Sequence, residues 1–249
     1  MIIIKSQAEI KKIAAACRMV AEIIEKLKTF VGADVSTADM ESFADSEIRR
    51  KKALPAFKGY RGYPASVCVS VNDQVVHGIP SRAVKLRNGD IVSIDLGVVL
   101  DGFYGDAAIT LPVGDISDEA SRLIKTTENA FYAGMEKAVV GNRVSDISYA
   151  IQEHVESNGF SVVRAFVGHG IGRSLHEEPQ VPNFGKPGQG SRLKAGMTMA
   201  IEPMVNAGGP DVRILDDGWT AVTADGSLSA HYEHTVVITG NGVEILTKI

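Results

Sequence analysis

The feature that most constrains the fold of this chain is an internal repeat. Short, similar segments recur in the same order along the two halves of the 249 residues, as with GDIVSID at 89–95 and GMTMAIE at 196–202. Such matches indicate two α+β halves, approximately 1–112 and 113–249, related by duplication within one domain spanning 1–249. The other matches are Val35-Ser36 with Val144-Ser145, Ala56-Phe57 with Ala165-Phe166, His77-x-x-Pro80 with His176-x-x-Pro179, and Tyr104-x-Asp106 with Tyr232-Glu233.

Four helices are predicted from caps and from the spacing of apolar residues. Ser6 and Glu9 form a capping box, and helical spacing continues from there to about Val31. The other three helices are expected after Ser36-Thr37, roughly from Ser117 to Val140, and after Val144-Ser145-Asp146. In the second half, the segment MTMAIEPMV is predicted to form one strand.

A β-hairpin with two aspartates is predicted for the segment IVSIDLGVVLDGFYGDAAIT. A turn at Leu100-Asp101 sets Asp95 opposite Asp106, whereas a turn at Asp101-Gly102 makes the two carboxylates diagonal neighbours. Both registers leave them on one face of the hairpin. Two carboxylates on an apolar surface repel each other and lose hydration. A shared proton, a basic side chain or a metal cation must therefore compensate.

The repeat favours the metal cation. It makes Glu202 the counterpart of Asp95 and Glu233 the counterpart of Asp106, so four carboxylates converge near the axis. His169, in the glycine-rich segment GHGIG, fits as a fifth ligand. Such a set favours Mn, Fe, Co or Zn in a two-metal site. Two ions typically about 3.5–4 Å apart share a water and lower its pKa towards neutrality.

Two further histidines, His77 and His176, hold equivalent positions in the two halves, each in an H-x-x-P context. Imidazoles that flank the metals could donate hydrogen bonds to a scissile carbonyl and to the developing oxyanion. The residues expected to lie outside the site are the solvated pair Glu177 and Glu178, the structural His154, and His231 and His234, which would point away from Glu233.

The composition excludes several classes of function. The formal charge of −4 gives no basic field for nucleic acid, and no apolar run has the length of a membrane span or the form of a signal peptide. Cys17 and Cys68 cannot form a disulfide framework, and we expect both to be reduced in a cytoplasmic protein.

The five proposed ligands and the strings around them, SIDLG, GDAAIT, GHGIGRSLHEEP, AIEPM and YEHT, resemble type I methionine aminopeptidase. The resemblance covers essentially the whole chain and implies a duplicated pita-bread fold, with a central antiparallel sheet flanked by helices. It makes the chain one catalytic domain that removes the initiator methionine from nascent proteins with a small second residue. The implied mechanism is a dinuclear metal site with a bridging water or hydroxide as the nucleophile.

The resemblance also implies a role for each residue of the site. Glu202 would relay the proton of the water, His77 would contact the substrate near the scissile amide, and His176 would stabilise the tetrahedral intermediate. The implied metal set is Asp95 on one ion, His169 and Glu202 on the other, and Asp106 and Glu233 as bridges.

The same resemblance places Tyr60, Tyr63, Cys68 and Trp219 around a methionine side-chain pocket. A thioether packs well against aromatic faces and sulfur. The chain departs from the family pattern at Leu175, where phenylalanine is usual, and this changes one wall of the pocket.

Two other functions remain open at this point. A proline-specific relative, an Xaa-Pro aminopeptidase or dipeptidase, shares all five ligands but usually carries a separate N-terminal domain. A non-catalytic pita-bread module that binds the ribosome or another partner has no need of the complete set. If the chain is a methionine aminopeptidase, the expected partners are nascent N-termini and the ribosome surface. The enzyme is then expected to be a monomer with two divalent metal ions, Co, Mn, Fe or Zn.

Overall fold

A computed structural model of the protein describes residues 1–248, which form four α-helices and fifteen β-strands. The helices are α1 (Gln7–Phe30), α2 (Thr37–Arg50), α3 (Asp118–Met135) and α4 (Val144–Ser157). The strands are β1 (Leu54–Pro55), β2 (Cys68–Val71), β3 (Gln74–Val76), β4 (Ile91–Leu100), β5 (Phe103–Pro112), β6 (Ser161–Val162), β7 (Gly168–Gly170), β8 (Glu177–Val181), β9 (Thr198–Ile201), β10 (Met204–Asn206), β11 (Val212–Ile214), β12 (Ala221–Thr223), β13 (Ser229–His231), β14 (Glu233–Thr239) and β15 (Gly242–Ile245).

The central element is a nine-stranded antiparallel sheet in the order β1-β4-β5-β14-β9-β7-β8, with β2 beside β4 and β15 beside β14. The first and second halves of the chain meet where β5 pairs with β14, with Glu233 opposite Ala108. Helices and antiparallel strands occupy separate parts of the sequence, as in the α+β class that the sequence predicts.

Helix α1 begins at the predicted capping box. The Ser6 side chain accepts a hydrogen bond from the Glu9 backbone, and the Glu9 side chain accepts one from the Ser6 backbone. The helix then packs against β4 and β5 through its buried face. The approach is close at Gly105, where a Cβ would lie 2.6 Å from the backbone nitrogen of Cys17. Only glycine lets the helix sit this near the strand.

Two apolar cores lie between the helices and the sheet. One joins α1 and α2 to β4 and β5, with Leu27, Ile48 and Ile94 fully buried. The other joins α3 and α4 to β9 and β14, around Phe131 and Ile151. Among the described residues, no helix is both long and apolar enough to cross a bilayer.

Equivalent backbone hydrogen bonds occur in the two halves. Thr37 at the start of α2 donates to the Val84 carbonyl at 3.0 Å, and Val144 at the start of α4 donates to the Ser191 carbonyl at 3.1 Å. These bonds make Thr37 the counterpart of Val144, so the sequence match of Val35 with Val144 is wrong by two residues. The boundary between the halves near residue 112 stays a prediction.

Helix α3 ends earlier than its sequence predicts, at Met135 instead of near Val140. Beyond that point the backbone forms bonds between residues three apart. Lys137 donates to the Gly134 carbonyl at 3.0 Å, and Ala138 donates to the Met135 carbonyl at 2.9 Å. Tight turns of this kind replace the last turn of the predicted α-helix.

Candidate metal centre and active site

The β4–β5 hairpin fixes the positions of the two aspartates. Its turn residues Asp101 and Gly102 have φ values of 50° and 76°, as a two-residue hairpin turn of type I′ requires. Asp106 therefore pairs with Gly97, and Asp95 is its diagonal neighbour on the same face. Of the two registers that the sequence allows, the structure has the one with its turn at Asp101-Gly102.

Glu202 lies at a break between two strands. The prediction of one strand through MTMAIEPMV is wrong, because β9 ends at Ile201 and β10 begins at Met204. Pro203 has no N–H and cannot donate to a sheet ladder, which explains the interruption. The Asn183 side chain donates to the Glu202 carbonyl at 3.0 Å and holds the backbone at this point.

His169 and the carboxylates form a compact cluster. Ligand atoms of Asp106, His169 and Glu233 all lie within 4.8 Å of one another. His169 Nε2 is 3.5 Å from Glu202 Oε1 and 3.9 Å from Asp106 Oδ2. Its Nδ1 lies 3.0 Å from the Gly170 carbonyl. Because a carbonyl only accepts, Nδ1 carries the proton and the Nε2 lone pair faces the carboxylates.

The electrostatics of the cluster suit a cation. Burial raises the pKa of Asp95 to about 7. Burial and mutual repulsion raise the pKa values of Asp106, Glu202 and Glu233 well above the usual carboxyl range. Burial lowers the pKa of His169 to about 3, which keeps its ring neutral. Such a set of hard oxygen donors and one neutral imidazole fits divalent metal ions.

Three carboxylate oxygens provide an independent test of that fit. Asp95 Oδ1, Asp106 Oδ1 and Glu233 Oε1 are buried and have no hydrogen-bond partner. Buried polar atoms are almost always paired, and orphaned ones require an explanation. Coordination of divalent ions would satisfy all three at once.

His77 is held in a strained backbone conformation, with a φ of 61°. The backbone beside His77 is held in place, because the carbonyl of the next residue, Gly78, accepts a hydrogen bond from the Tyr63 hydroxyl at 2.9 Å. The His77 ring packs edge-on against Phe166 and Trp219, with centroids 5.3 and 6.2 Å apart. Burial lowers the pKa of His77 to about 4. The imidazole is thereby neutral and fixed in direction.

His176 lies over His169. Its ring centroid is 4.2 Å from that of His169. Its Nδ1 shares a hydrogen bond of 2.7 Å with the Tyr60 hydroxyl, which sets the orientation of the ring. The preceding residue, Leu175, is buried.

One cavity of about 330 Å³ contains the whole set of predicted site residues. Its polar part is the carboxylate cluster, and its apolar part is lined by aromatic and aliphatic side chains and by Cys68. The two parts are adjacent because Cys68 on β2 stands directly opposite Asp95 on β4. The predicted residues that line it are Tyr60, Tyr63, Cys68, His77, Asp95, Asp106, His169, His176, Glu202, Trp219 and Glu233, together with Leu175.

His231 is a cavity residue that the sequence interpretation missed. The prediction that it points away from Glu233 is wrong, because its Nε2 is 4.0 Å from Glu233 Oε2 and 3.8 Å from Glu202 Oε2. In extended chain, side chains two apart share a face. This alternation is the sequence signal that places His231 on the same face as Glu233. It also places His234 on the opposite face, as expected, where it bonds to the Tyr232 hydroxyl at 3.1 Å.

The prediction of a solvated Glu177–Glu178 pair is wrong for its first member. Only 6% of the Glu177 side chain is exposed, and it forms an ion pair with Lys5. Glu178 is exposed, as predicted.

Comparison with known proteins assigns a family to this fold and cavity. Residues 11–240 match the family described as metallopeptidase family M24. The chain is 56% identical over 249 residues to a methionine aminopeptidase of Clostridium perfringens, with all of both chains covered. The chain therefore belongs to metallopeptidase family M24, a family of enzymes, and groups within it with the methionine aminopeptidases.

Solved structures agree with this assignment. A crystal structure of methionine aminopeptidase from Thermotoga maritima is 46% identical, with a TM-score of 0.99 and 100% of both chains covered. The predicted α+β pita-bread fold is confirmed by this likeness. An Xaa-Pro dipeptidase from Bacillus anthracis is 21% identical, with a TM-score of 0.79 over 99% of this chain and 62% of that one, and shows the shared fold alone.

Proposed function

We propose that this enzyme removes the initiator methionine from nascent proteins whose second residue is small. In this proposal two divalent ions, Co, Mn, Fe or Zn, occupy the carboxylate cluster. The methionine side chain enters the apolar part of the cavity, between Tyr63, Cys68 and Trp219.

The observation that carries the proposal is the joining of two environments in one cavity. The orphaned carboxylate oxygens suit divalent cations, and a wall of aromatic rings and sulfur lies beside them. Aromatic faces and sulfur suit a thioether. A substrate with a methionine side chain at the apolar end would bring its first peptide bond to the polar end. The names of the full-length relatives agree with that substrate.

The ions supply Lewis-acid activation of water and of the scissile carbonyl when they are bound. Asp95 would hold one ion, His169 and Glu202 the other, and Asp106 and Glu233 would span both. Glu202 would also accept the proton of the attacking water and pass it to the leaving amine.

The two remaining histidines would act on the substrate. His77 would hydrogen-bond the scissile amide, and its neutral ring is already oriented by its aromatic neighbours. His176 would donate to the oxyanion of the tetrahedral intermediate, with Tyr60 fixing its ring. Groups held in place before the reaction need no reorganisation in the transition state.

Nascent polypeptide N-termini are the partners in this proposal. Contact with the ribosome surface, a monomeric state and a cytoplasmic location stay predictions. The cytoplasmic prediction agrees with the two buried cysteines, Cys17 and Cys68, which are both free thiols.

The test is peptide hydrolysis by metal-stripped protein with Mn, Co, Fe or Zn added back. Met-Ala-Ser, Ala-Pro and Met-Lys peptides are supplied separately, and released amino acids are identified by mass spectrometry. Metal-dependent release of methionine from Met-Ala-Ser alone is the expected result, because the second residue must be small.

The other outcomes contradict the proposal in different ways. Cleavage of Ala-Pro assigns the protein to the proline-specific relatives. The absence of hydrolysis with every metal favours a non-catalytic binding module. A Glu202→Ala variant, prepared in the same way, controls for contaminating peptidases.

A further inference from the structure

A buried ion pair joins the N-terminal segment to the loop that carries His176. Lys5 Nζ lies 2.5 Å from Glu177 Oε2, and only 3% and 6% of the two side chains are exposed. Removing two charges from water carries a large desolvation cost, so such a pair adds little to stability by itself. Its place in the fold indicates another use.

The Glu177 carboxylate holds the loop by its backbone. Its second oxygen, Oε1, accepts hydrogen bonds from the N–H groups of Arg173 at 2.8 Å and Ser174 at 3.2 Å. The stem of Lys5 packs on the same loop, since a Cβ on Gly172 would lie 2.6 Å from Lys5 Cε. The pair therefore fixes the course of the chain just before His176.

Lys5 is itself anchored to the framework of the metal centre. Its backbone N–H donates to the Gly196 carbonyl at 2.8 Å, two residues before β9 begins. Strand β9 leads directly to Glu202. Ser6, which follows Lys5, is the N-cap of α1. The ammonium group thus links the His176 loop to the strand that carries a proposed ligand.

We propose that Lys5 and Glu177 are positioning residues for His176. Glu177 is adjacent to His176 in the chain, and the His176 ring lies 4.2 Å from that of His169. Loss of the ion pair releases the loop and moves the imidazole away from the reacting amide. The inference rests on the proposed function, because that function gives His176 its contact with the oxyanion.

A double-mutant cycle tests the connection in the metal-loaded enzyme. Lys5→Met is expected to lower kcat about ten- to hundredfold with Met-Ala-Ser, as a misplaced catalytic group does. In a His176→Ala background the same substitution is expected to change kcat less than about twofold, since the positioned group is already absent. An equal loss in both backgrounds, or no loss in the single variant, overturns the proposal.

A second readout does not depend on turnover. In zinc-loaded protein with ¹⁵N-labelled histidine, Lys5→Met is expected to shift the ring signals of His176 and leave those of His154 on α4 unchanged. An unchanged His176 signal overturns the proposal even if the enzyme cleaves another substrate. A shifted signal in a protein that does not release methionine supports the positioning and refutes the proposed function alone.

Two further variants complete the design. If Lys5→Met does not fold, Lys5→Met/Glu177→Gln removes both charges while the amide oxygen still accepts from the loop N–H groups. This double variant also lacks the ion pair, so kcat and the His176 signal are expected to change in the same directions as in Lys5→Met. Lys26→Met breaks another 2.5 Å ion pair, from α1 to Glu47 on α2, and is expected to leave kcat and the signal unchanged.

Discussion

Replacing Asp95 with asparagine is expected to stabilise the metal-free protein at neutral and alkaline pH. Burial raises the pKa of this carboxyl from 3.8 to about 7 in the folded protein. Between these values the folded form keeps a proton that the unfolded chain has lost. A raised folded-state pKa therefore makes wild-type stability fall as the pH rises through this window.

The magnitude follows from the shift. Only the roughly two units between pH 5 and the raised pKa contribute. At about 1.4 kcal/mol per unit, raising the pH from about 5 to about 8 therefore lowers the free energy of unfolding of the wild type by roughly 3 kcal/mol relative to Asp95→Asn. This value is an upper limit, because Asp95 lines a cavity that opens to solvent. Metal ions are expected to reverse the order of stability, because Asp95 is a proposed ligand and the folded wild type would bind them more tightly than the variant.

The assay is urea unfolding of both proteins at the two pH values, with a chelator and then with zinc. Asp225→Asn is the control, because hydrogen bonds lower the pKa of Asp225 to about 2. That carboxyl is ionised in the folded and unfolded states throughout the window, so its substitution has the same effect at both pH values. The reasoning is refuted if the difference in free energy of unfolding between the wild type and Asp95→Asn does not change with pH.

Three further predictions concern catalysis and packing. Glu202→Ala or His169→Ala is expected to abolish turnover with the near-ultraviolet circular dichroism spectrum unchanged, because each removes a proposed ligand; near-normal activity in either contradicts the metal site. His77→Ala is expected to lower kcat, since its contact strengthens in the transition state, and a rise in KM alone is the contrary result in steady-state kinetics. Gly105→Ala is expected to destabilise the protein by about 1–3 kcal/mol in urea unfolding, because the new Cβ would lie 2.6 Å from the Cys17 nitrogen; an unchanged midpoint contradicts the close packing of α1.

Local sequence signals predicted the elements that position the site. The capping box at Ser6 and Glu9 marks the observed start of α1. The Asp101-Gly102 turn predicts the hairpin, and both of its possible registers leave Asp95 and Asp106 on one face. These signals succeed because their interactions join residues close in sequence.

Residues whose environment depends on distant segments were predicted less well. Glu177 has the sequence context of a solvated acid, but its partner Lys5 is 172 positions away. His231 was expected outside the cavity, although its separation of two residues from Glu233 favours a shared face. In both residues, burial by other parts of the fold decides the environment.

The sequence by itself determined the starts of α1 and α3, the hairpin, and the set of carboxylates and histidines from which a metal centre can be built, whereas α4 begins at Val144, before its expected start after Asp146. Only the tertiary structure decided that these side chains share one cavity with an apolar wall, that the His169 ring is neutral, and that Lys5 is tied to the His176 loop. The physical reason is the range of the interactions. Caps, turns and strand alternation act over a few residues, whereas desolvation, pKa values and ion pairing depend on segments that folding brings together.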